Sequence, residues 1–188
     1  VKFLVTDMNA AYFQLTKNVF PTAKLIIDRF HIVKHLNTAF NDFRVREMKR
    51  LITNKKKSKA NKLKSNWKLL LKNQTNISIS EFKTWRSFPS PKYHLLTESM
   101  VIDRLLSFSS ELKEAYDIFH LLMYHFRNKD DRSFFELLKN LPDSLDTQFR
   151  DKIENLISYE EGIRNALKYN FSNGKIEAKN THIKTLKR

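Results

Sequence analysis

Cysteine is absent from the 188 residues. That excludes disulfides, Cys-ligated zinc and thiol catalysis, and leaves histidines and carboxylates as the metal ligands on offer. Glycine occurs twice and proline four times, too few for collagen-like, low-complexity or turn-rich all-β folds, so long helices are expected. No apolar run approaches the roughly 20 residues of a membrane span, and no short apolar segment behind a basic start marks a signal peptide. The expectation is a soluble, cytoplasmic protein that does not enter a membrane. Acidic residues are scarce as well. There are 20 Asp and Glu against 35 Lys and Arg, a net charge of +15 that points to a polyanionic partner. With 41% apolar and 12% aromatic residues, what remains suffices for one core of ordinary size.

The positive charge is segregated. Residues 29–96 hold 17 basic and 3 acidic side chains, whereas residues 97–172 hold 10 and 14. A basic protein without a polyanionic partner would scatter its lysines; this pattern builds one positive face and a neutral-to-acidic helical body. The densest run is Lys55, Lys56, Lys57, Lys59, Lys62 and Lys64. Taken alone it reads equally as a binding surface and as a solvated helix or loop.

Phe3, Leu4, Val5 and Thr6 form a short apolar run ending at Asp7, the pattern of a buried strand. Apolar residues from Ala10 to Phe20 then suit a helix of about three turns stopped before Pro21. Lys24–Ile27 predicts a second strand that also ends in an aspartate, Asp28. From there Phe30, Val33, Leu36, Phe40, Phe43, Met48 and Leu51 recur as a long amphipathic helix requires. Strand, helix, strand, helix within some 50 residues is a βαβ beginning, with Asp7 and Asp28 at the carboxyl edge of two parallel strands. Beyond residue 52 no further strand is predicted. Leu105, Phe108, Leu112, Ala115, Phe119, Leu122 and Phe126 make one helical stripe, Leu145, Phe149, Ile153 and Leu156 a second, and Ile163, Ala166 and Leu167 a third. Breaks are expected at residues 88–91 and 140–142, around their prolines. The last segment begins at Ser172, Asn173 and Gly174 and continues as a helix with Ile176, Ile183 and Leu186 on one face. Two strands alone make no stable sheet, so either further strands lie outside this sequence or helices cover the edges. A start on a strand without Met and an end within a basic helix suggest a fragment of a longer protein.

Val5, Thr6, Asp7 and Met8, then Tyr12, Phe20, Pro21, Thr22 and Ala23, then Ile27, Asp28, Arg29, Phe30 and His31, resemble the catalytic region of bacterial insertion-sequence transposases of the ISL3 family. The closing Ser172, Asn173, Gly174, Lys175, Ile176, Glu177, Ala178, Lys179 and Asn180, followed by Ile183, Lys184, Lys187 and Arg188, is similar to that family's glutamate helix. The resemblance covers about the first 50 and last 17 residues. It implies a mainly α fold with a small α/β part: a βαβ remnant of a ribonuclease-H-like core in residues 1–51, a large all-helical insertion in 52–171 that is basic at its start, and a glutamate helix in 172–188 returning to the core. It further implies a DDE enzyme in which Asp7 is the second and Glu177 the third of three carboxylates holding two divalent cations, Mg²⁺ or Mn²⁺. No residue matches the first aspartate, so this fragment is expected to be inactive alone. The implied partners are DNA, as transposon ends and target, and further copies of the chain assembled as a homo-oligomer on DNA. The implied location is the bacterial cytoplasm, at the nucleoid when bound to DNA.

The chemistry suits the residue types. In-line attack on a phosphodiester needs two metals about 4 Å apart, one activating the attacking oxygen and one neutralising the leaving one. Hard cations prefer oxygen ligands and keep several waters, so few carboxylates suffice. A strand end places Asp7 rigidly. Glu177, in a first helical turn, is favoured by the helix dipole, and Lys184 and Arg188 on the same face are candidates for contacting the phosphate beside the scissile bond. Plainer readings stand beside these. An aspartate between strand and helix is commonly an N-cap, which is the reading kept for Asp28. Glu177 alone would pass for dipole compensation. Asp28, His31 and His35 lie on one helical face with the geometry of a zinc site but without a glutamate between the histidines. Trp67, Phe82, Trp85 and Tyr93 are candidates for stacking on unpaired bases or for plain core. The function expected is a fragment of a transposase that cleaves and transfers DNA; the alternative is a non-catalytic basic helical DNA-binding module.

Overall fold

The computed structural model describes residues 1–9, 18–89 and 92–171. These residues are mainly helical, with one two-stranded sheet among them. The helix expected over residues 10–20 falls mostly, and the closing basic helix from residue 172 wholly, outside the described residues. The chain divides into two compact units, one drawing on residues 1–35, 125–140 and from 154 onward, the other on 36–124 and 141–153.

In the first unit β1 (Phe3–Thr6) and β2 (Lys24–Ile27) pair in parallel, Phe3 opposite Lys24 through Thr6 opposite Ile27. Lys24 N–H donates to Lys2 O at 3.0 Å and Asp28 N–H to Thr6 O at 2.8 Å, so even-numbered residues of β2 face β1 and the odd ones face away. On that outer edge the Asn165 side-chain amide donates to Leu25 O at 2.8 Å. A helix thus covers the edge, one of the two ways a pair of strands avoids unpaired backbone. Asn165 lies in α8 (Glu160–Lys168), which buries Ile163, Ala166 and Leu167 as its stripe predicts. The helix comes so close to β2 that a Cβ added at Gly162 would lie 2.7 Å from Ile27 Cγ1. Phe3 is covered by Tyr169 and Phe171, with ring centroids at 4.9 and 4.8 Å. The helix α6 (Asp131–Lys139), capped by Asp130, adds buried Phe134, Phe135 and Leu138.

The long helix expected after Asp28 is α1 (Arg29–Thr53), which contributes to both units. In the second unit its Phe40 stacks on Phe119 at 4.8 Å with rings 10° apart, and Phe149 lies 6.4 Å from Phe40 and 5.8 Å from Phe43. Next come α2 (Lys57–Ser65), the short α3 (Trp67–Leu70), α4 (Glu98–Leu106), α5 (Ser110–Arg127) and α7 (Thr147–Glu154). The stripe from Leu105 to Phe126 reads as one helix in the sequence; the structure breaks it into α4 and α5. Ser109 supplies the reason. Its hydroxyl accepts the Leu112 N–H at 2.9 Å, a local bond that competes with helix continuation and caps the next one. As expected, no strand is found among the described residues beyond 52, apart from isolated bridges at Lys83 with Leu96 and Trp85 with Phe88.

Scarce glycine has a visible consequence. Lys55 and Lys129 adopt left-handed φ values of 59° and 58°, the conformation glycine supplies at helix ends. After α1, Lys56 N–H donates to Leu51 O at 2.8 Å and Lys55 N–H to Ile52 O at 3.0 Å. After α5, Asp130 N–H donates to His125 O and Lys129 N–H to Phe126 O. Both are Schellman closures with lysine at the glycine position. Glycine is therefore missing where the backbone favours it and present where packing demands it. Lys55→Gly should raise unfolding free energy by about 0.5–1 kcal/mol, the left-handed penalty less the added unfolded-state freedom. Gly162→Ala should lower it by about 1–2 kcal/mol, because overpacking against Ile27 outweighs the helix-propensity gain. Urea melts of both variants check the opposite signs.

Candidate metal centre and nucleic-acid surface

Parallel pairing brings the two strand-end aspartates to one edge of the sheet, since Thr6 is opposite Ile27 and Asp28 N–H bonds to Thr6 O. Their side chains differ in what they do. Asp28 is 3% exposed, and its Oδ1 accepts the Phe30 N–H at 2.9 Å while its carbonyl accepts the His31 N–H at 3.0 Å. It is the N-cap of α1, as expected. Asp7 is half-buried; its Oδ1 sits 3.4 Å from the Thr6 hydroxyl, and its carbonyl accepts the Asn9 N–H at 2.9 Å in a turn. Its carboxylate caps no described helix. Glu177, Lys184 and Arg188 lie outside the described residues. Among the described residues no three His, Asp or Glu side chains are grouped to hold a metal, so Asp28, His31 and His35 do not make the zinc site their spacing allowed.

In the second unit, residues 48–80 contain no Asp or Glu at all. Their densest run is helical from Lys57: α2 buries Ala60 and Leu63, three residues apart, and leaves its lysines outward. Other contacts stand in for missing carboxylates. Lys62 Nζ lies 4.5 Å from the Phe88 ring and 5.4 Å from Tyr93, and Lys59 Nζ 5.2 Å from Phe108, all within cation–π range. Arg44, 7% exposed, spans from α1 to the end of α2: Nη1 donates to Leu63 O at 3.1 Å, and Nε and Nη2 donate to Asn41 Oδ1. Burial pulls its pKa down. A guanidinium at a helix carboxyl end is favoured by the dipole. Of the four aromatics singled out, Trp67 and Phe82 are 40% and 58% exposed. Trp85 and Tyr93 are half-buried, with Trp85 Nε1 donating to Leu96 O at 2.9 Å.

Beside α2 a groove of about 1100 Å³ is lined by Lys57, Asn61, Lys62 and Lys64 on one side and Trp85, Arg86 and Ser87 on the other, with Asn66 between. Asn66 is buried, and its amide donates to Ser87 Oγ at 2.9 Å and to Lys62 O at 2.7 Å. Sequence reading missed Asn66, Arg86 and Ser87, because a segment without periodicity gives no signal of what it packs against. It also missed Glu98, the anchor of the segment between α3 and α4. The Glu98 carboxylate accepts Lys72 Nζ at 2.5 Å and Ser78 N–H at 3.0 Å, with Lys83 Nζ at 3.7 Å. The signal available was an acid just after Thr97, whose hydroxyl caps α4 by accepting the Met100 N–H.

Comparison with known proteins adds three findings. The ISL3-type DDE family described as "Transposase" matches residues 1–188. A protein of Lactococcus lactis subsp. lactis named "ATP-dependent protease" is 38% identical over 96 residues, 50% of this chain. The match spans 30% of that protein's length. No solved structure matches.

Burial pushes the Glu98 carboxyl up, but Lys72, the Ser78 N–H and Lys83 together outweigh it and hold it below its ordinary value. A depressed folded pKa contributes stability that is complete above the unfolded value of about 4.5 and is lost as pH falls through the folded value. Glu98→Gln should therefore lower stability at pH 7 and flatten its decline below about pH 4.5. Urea melts at pH 7 and pH 3.5 check it; equal losses at both would assign Glu98 a packing role only.

Proposed function

The chain belongs to the ISL3 family of DDE transposases, and from that membership we propose that it carries part of the catalytic site of an enzyme that cleaves DNA and transfers the strands of an insertion sequence. The observation behind this reading is the strand edge: of two neighbouring aspartates, Asp28 is spent on the backbone of α1, while Asp7 is half-buried and caps no described helix.

Asp7 fits a hard divalent cation. Such an ion takes oxygen ligands and keeps several waters, so it suits a carboxylate fixed at a strand end without being sealed from solvent. We assign Asp7 as the second and Glu177 as the third ligand, with the first aspartate outside these 188 residues, which alone are then inactive. Bound Mg²⁺ or Mn²⁺ would supply activation of the attacking oxygen and charge neutralisation at the leaving one. The chain's own share is positioning. Asp7 holds its carboxylate where the β1–β2 pairing places it. Lys184 and Arg188, seven and eleven residues after Glu177, bind the phosphate flanking the scissile bond. On this reading the strand pair belongs to a ribonuclease-H-like core in residues 1–51, residues 52–171 form a helical insertion that binds DNA, and residues 172–188 bring the glutamate back. Transposon ends and target DNA are the partners, bound by a homo-oligomer in the bacterial cytoplasm. With only two glycines, Gly162 and Gly174, these residues have no Gly-rich phosphate loop.

In the full-length protein, Asp7→Asn and Glu177→Gln should each reduce Mg²⁺-dependent end cleavage at least a hundredfold while leaving DNA binding within about threefold. Asp28→Asn should instead cost about 1 kcal/mol of stability as a weakened cap, with cleavage kept within tenfold. Cleavage and gel-shift assays on the same preparations separate the two roles. Wild-type cleavage by Asp7→Asn overturns the catalytic assignment, and DNA binding without cleavage by the wild-type protein favours the simple binding module.

A further inference from the structure

We propose that the groove beside α2 holds the phosphate backbone of duplex DNA, with α2 as its cationic wall and residues 85–87 as the opposite one. The inference rests on the reading that this protein acts on DNA and adds where, and by which residues, the duplex is gripped.

Four observations converge. First, the groove is lined by Lys57, Lys62, Lys64 and Arg86 and by no carboxylate. Lys57, Lys64 and Arg86 are exposed, and among the described residues none of the three forms an ion pair. Cations held unneutralised side by side repel one another, which a phosphate chain relieves with release of its counterions. Second, Lys57, Asn61 and Lys64 are four and three residues apart in α2, so they share one helical face about 10 Å long. That is the axial reach of about three phosphates of one DNA strand. Third, the neutral groups are of the kind that bond phosphate oxygens: Ser58, Asn61, Ser65 and Ser87 also line the groove. The first turn of α2 has no side-chain cap, and N–H groups in that position attract anions. Fourth, the walls are fixed before any ligand arrives. Asn66 ties Ser87 to the Lys62 carbonyl, Trp85 is bonded to Leu96 O, and Lys62 is seated on Phe88. An acidic protein partner would require an apolar anchor pocket at its centre; the groove offers one half-buried Trp85 whose N–H is already committed.

The test compares two charge-matched triple variants of the full-length protein on one 30-base-pair duplex. The groove variant carries Lys57→Gln, Lys64→Gln and Arg86→Gln. The control carries Lys34→Gln, Lys49→Gln and Lys113→Gln, which are exposed and outside the groove. The groove variant should bind at least tenfold more weakly near 0.1 M salt and flatten the plot of log affinity against log salt by about two to three, one unit per lost phosphate contact; the control should change affinity less than threefold. Should the groove variant fold poorly, acetylation footprinting of the wild-type protein replaces it, with Lys57 and Lys64 protected by the duplex and Lys49 not. Equal weakening in both variants, or no protection of Lys57 and Lys64, overturns the groove while leaving DNA binding intact. Absent or salt-indifferent binding by the wild-type protein overturns the DNA reading itself, and tighter binding of an RNA duplex overturns the choice of partner.

Discussion

The parallel pairing of β1 and β2 is the constraint on which the candidate catalytic edge depends. Four residues on each strand set the register, and the register brings Asp7 and Asp28 to the same edge. So short a pair cannot stand alone in water. Its outer edge is closed by Asn165 on Leu25 O, and α8 lies close enough for Gly162 to touch Ile27. The same closeness explains why one of only two glycines stands inside a helix, where it costs about 1 kcal/mol in propensity.

In the second unit the governing problem is electrostatic. A 33-residue stretch without a carboxylate, residues 48–80, must fold despite its own repulsion. Part of the answer is neutral: Lys62 rests on Phe88 and Tyr93 and Lys59 on Phe108. Part is borrowed, since Lys72 finds its partner in Glu98, well beyond the stretch. What is left over faces solvent along α2. On the proposed reading as part of a transposase, this uncancelled excess would face DNA.

Much of this was legible in the residues. Both strands, the breaks after them, the N-cap at Asp28 and the buried stripe of α8 follow from apolar periodicity and capping chemistry, which act over a few residues. Signals that depend on remote partners were not legible. The lysine run could not be told apart as helix or loop because its apolar contribution is two residues, Ala60 and Leu63, and only their burial makes it amphipathic. The stripe through Leu105 and Phe126 kept its period across a break made by the Ser109 cap. Nothing in its sequence neighbourhood marks Arg44 as a buried cation, and Asn66, Arg86 and Ser87 lie in or beside segments with no period at all. At the candidate catalytic edge the reverse holds. Family resemblance proposes Asp7 and Glu177 as ligands, and only Asp7 lies among the described residues.

The central claim is that Asp7 and Glu177 serve one metal site, and binding of the ion itself tests it most directly. Mn²⁺ titrated into the full-length protein, with free ion followed by its electron paramagnetic resonance signal, should be bound by the wild type and at least tenfold more weakly by Asp7→Asn and by Glu177→Gln. The double variant should be little worse than either single one, because both substitutions disable the same site. Undiminished Mn²⁺ binding by either single variant, or losses that simply add in the double, would contradict a shared centre.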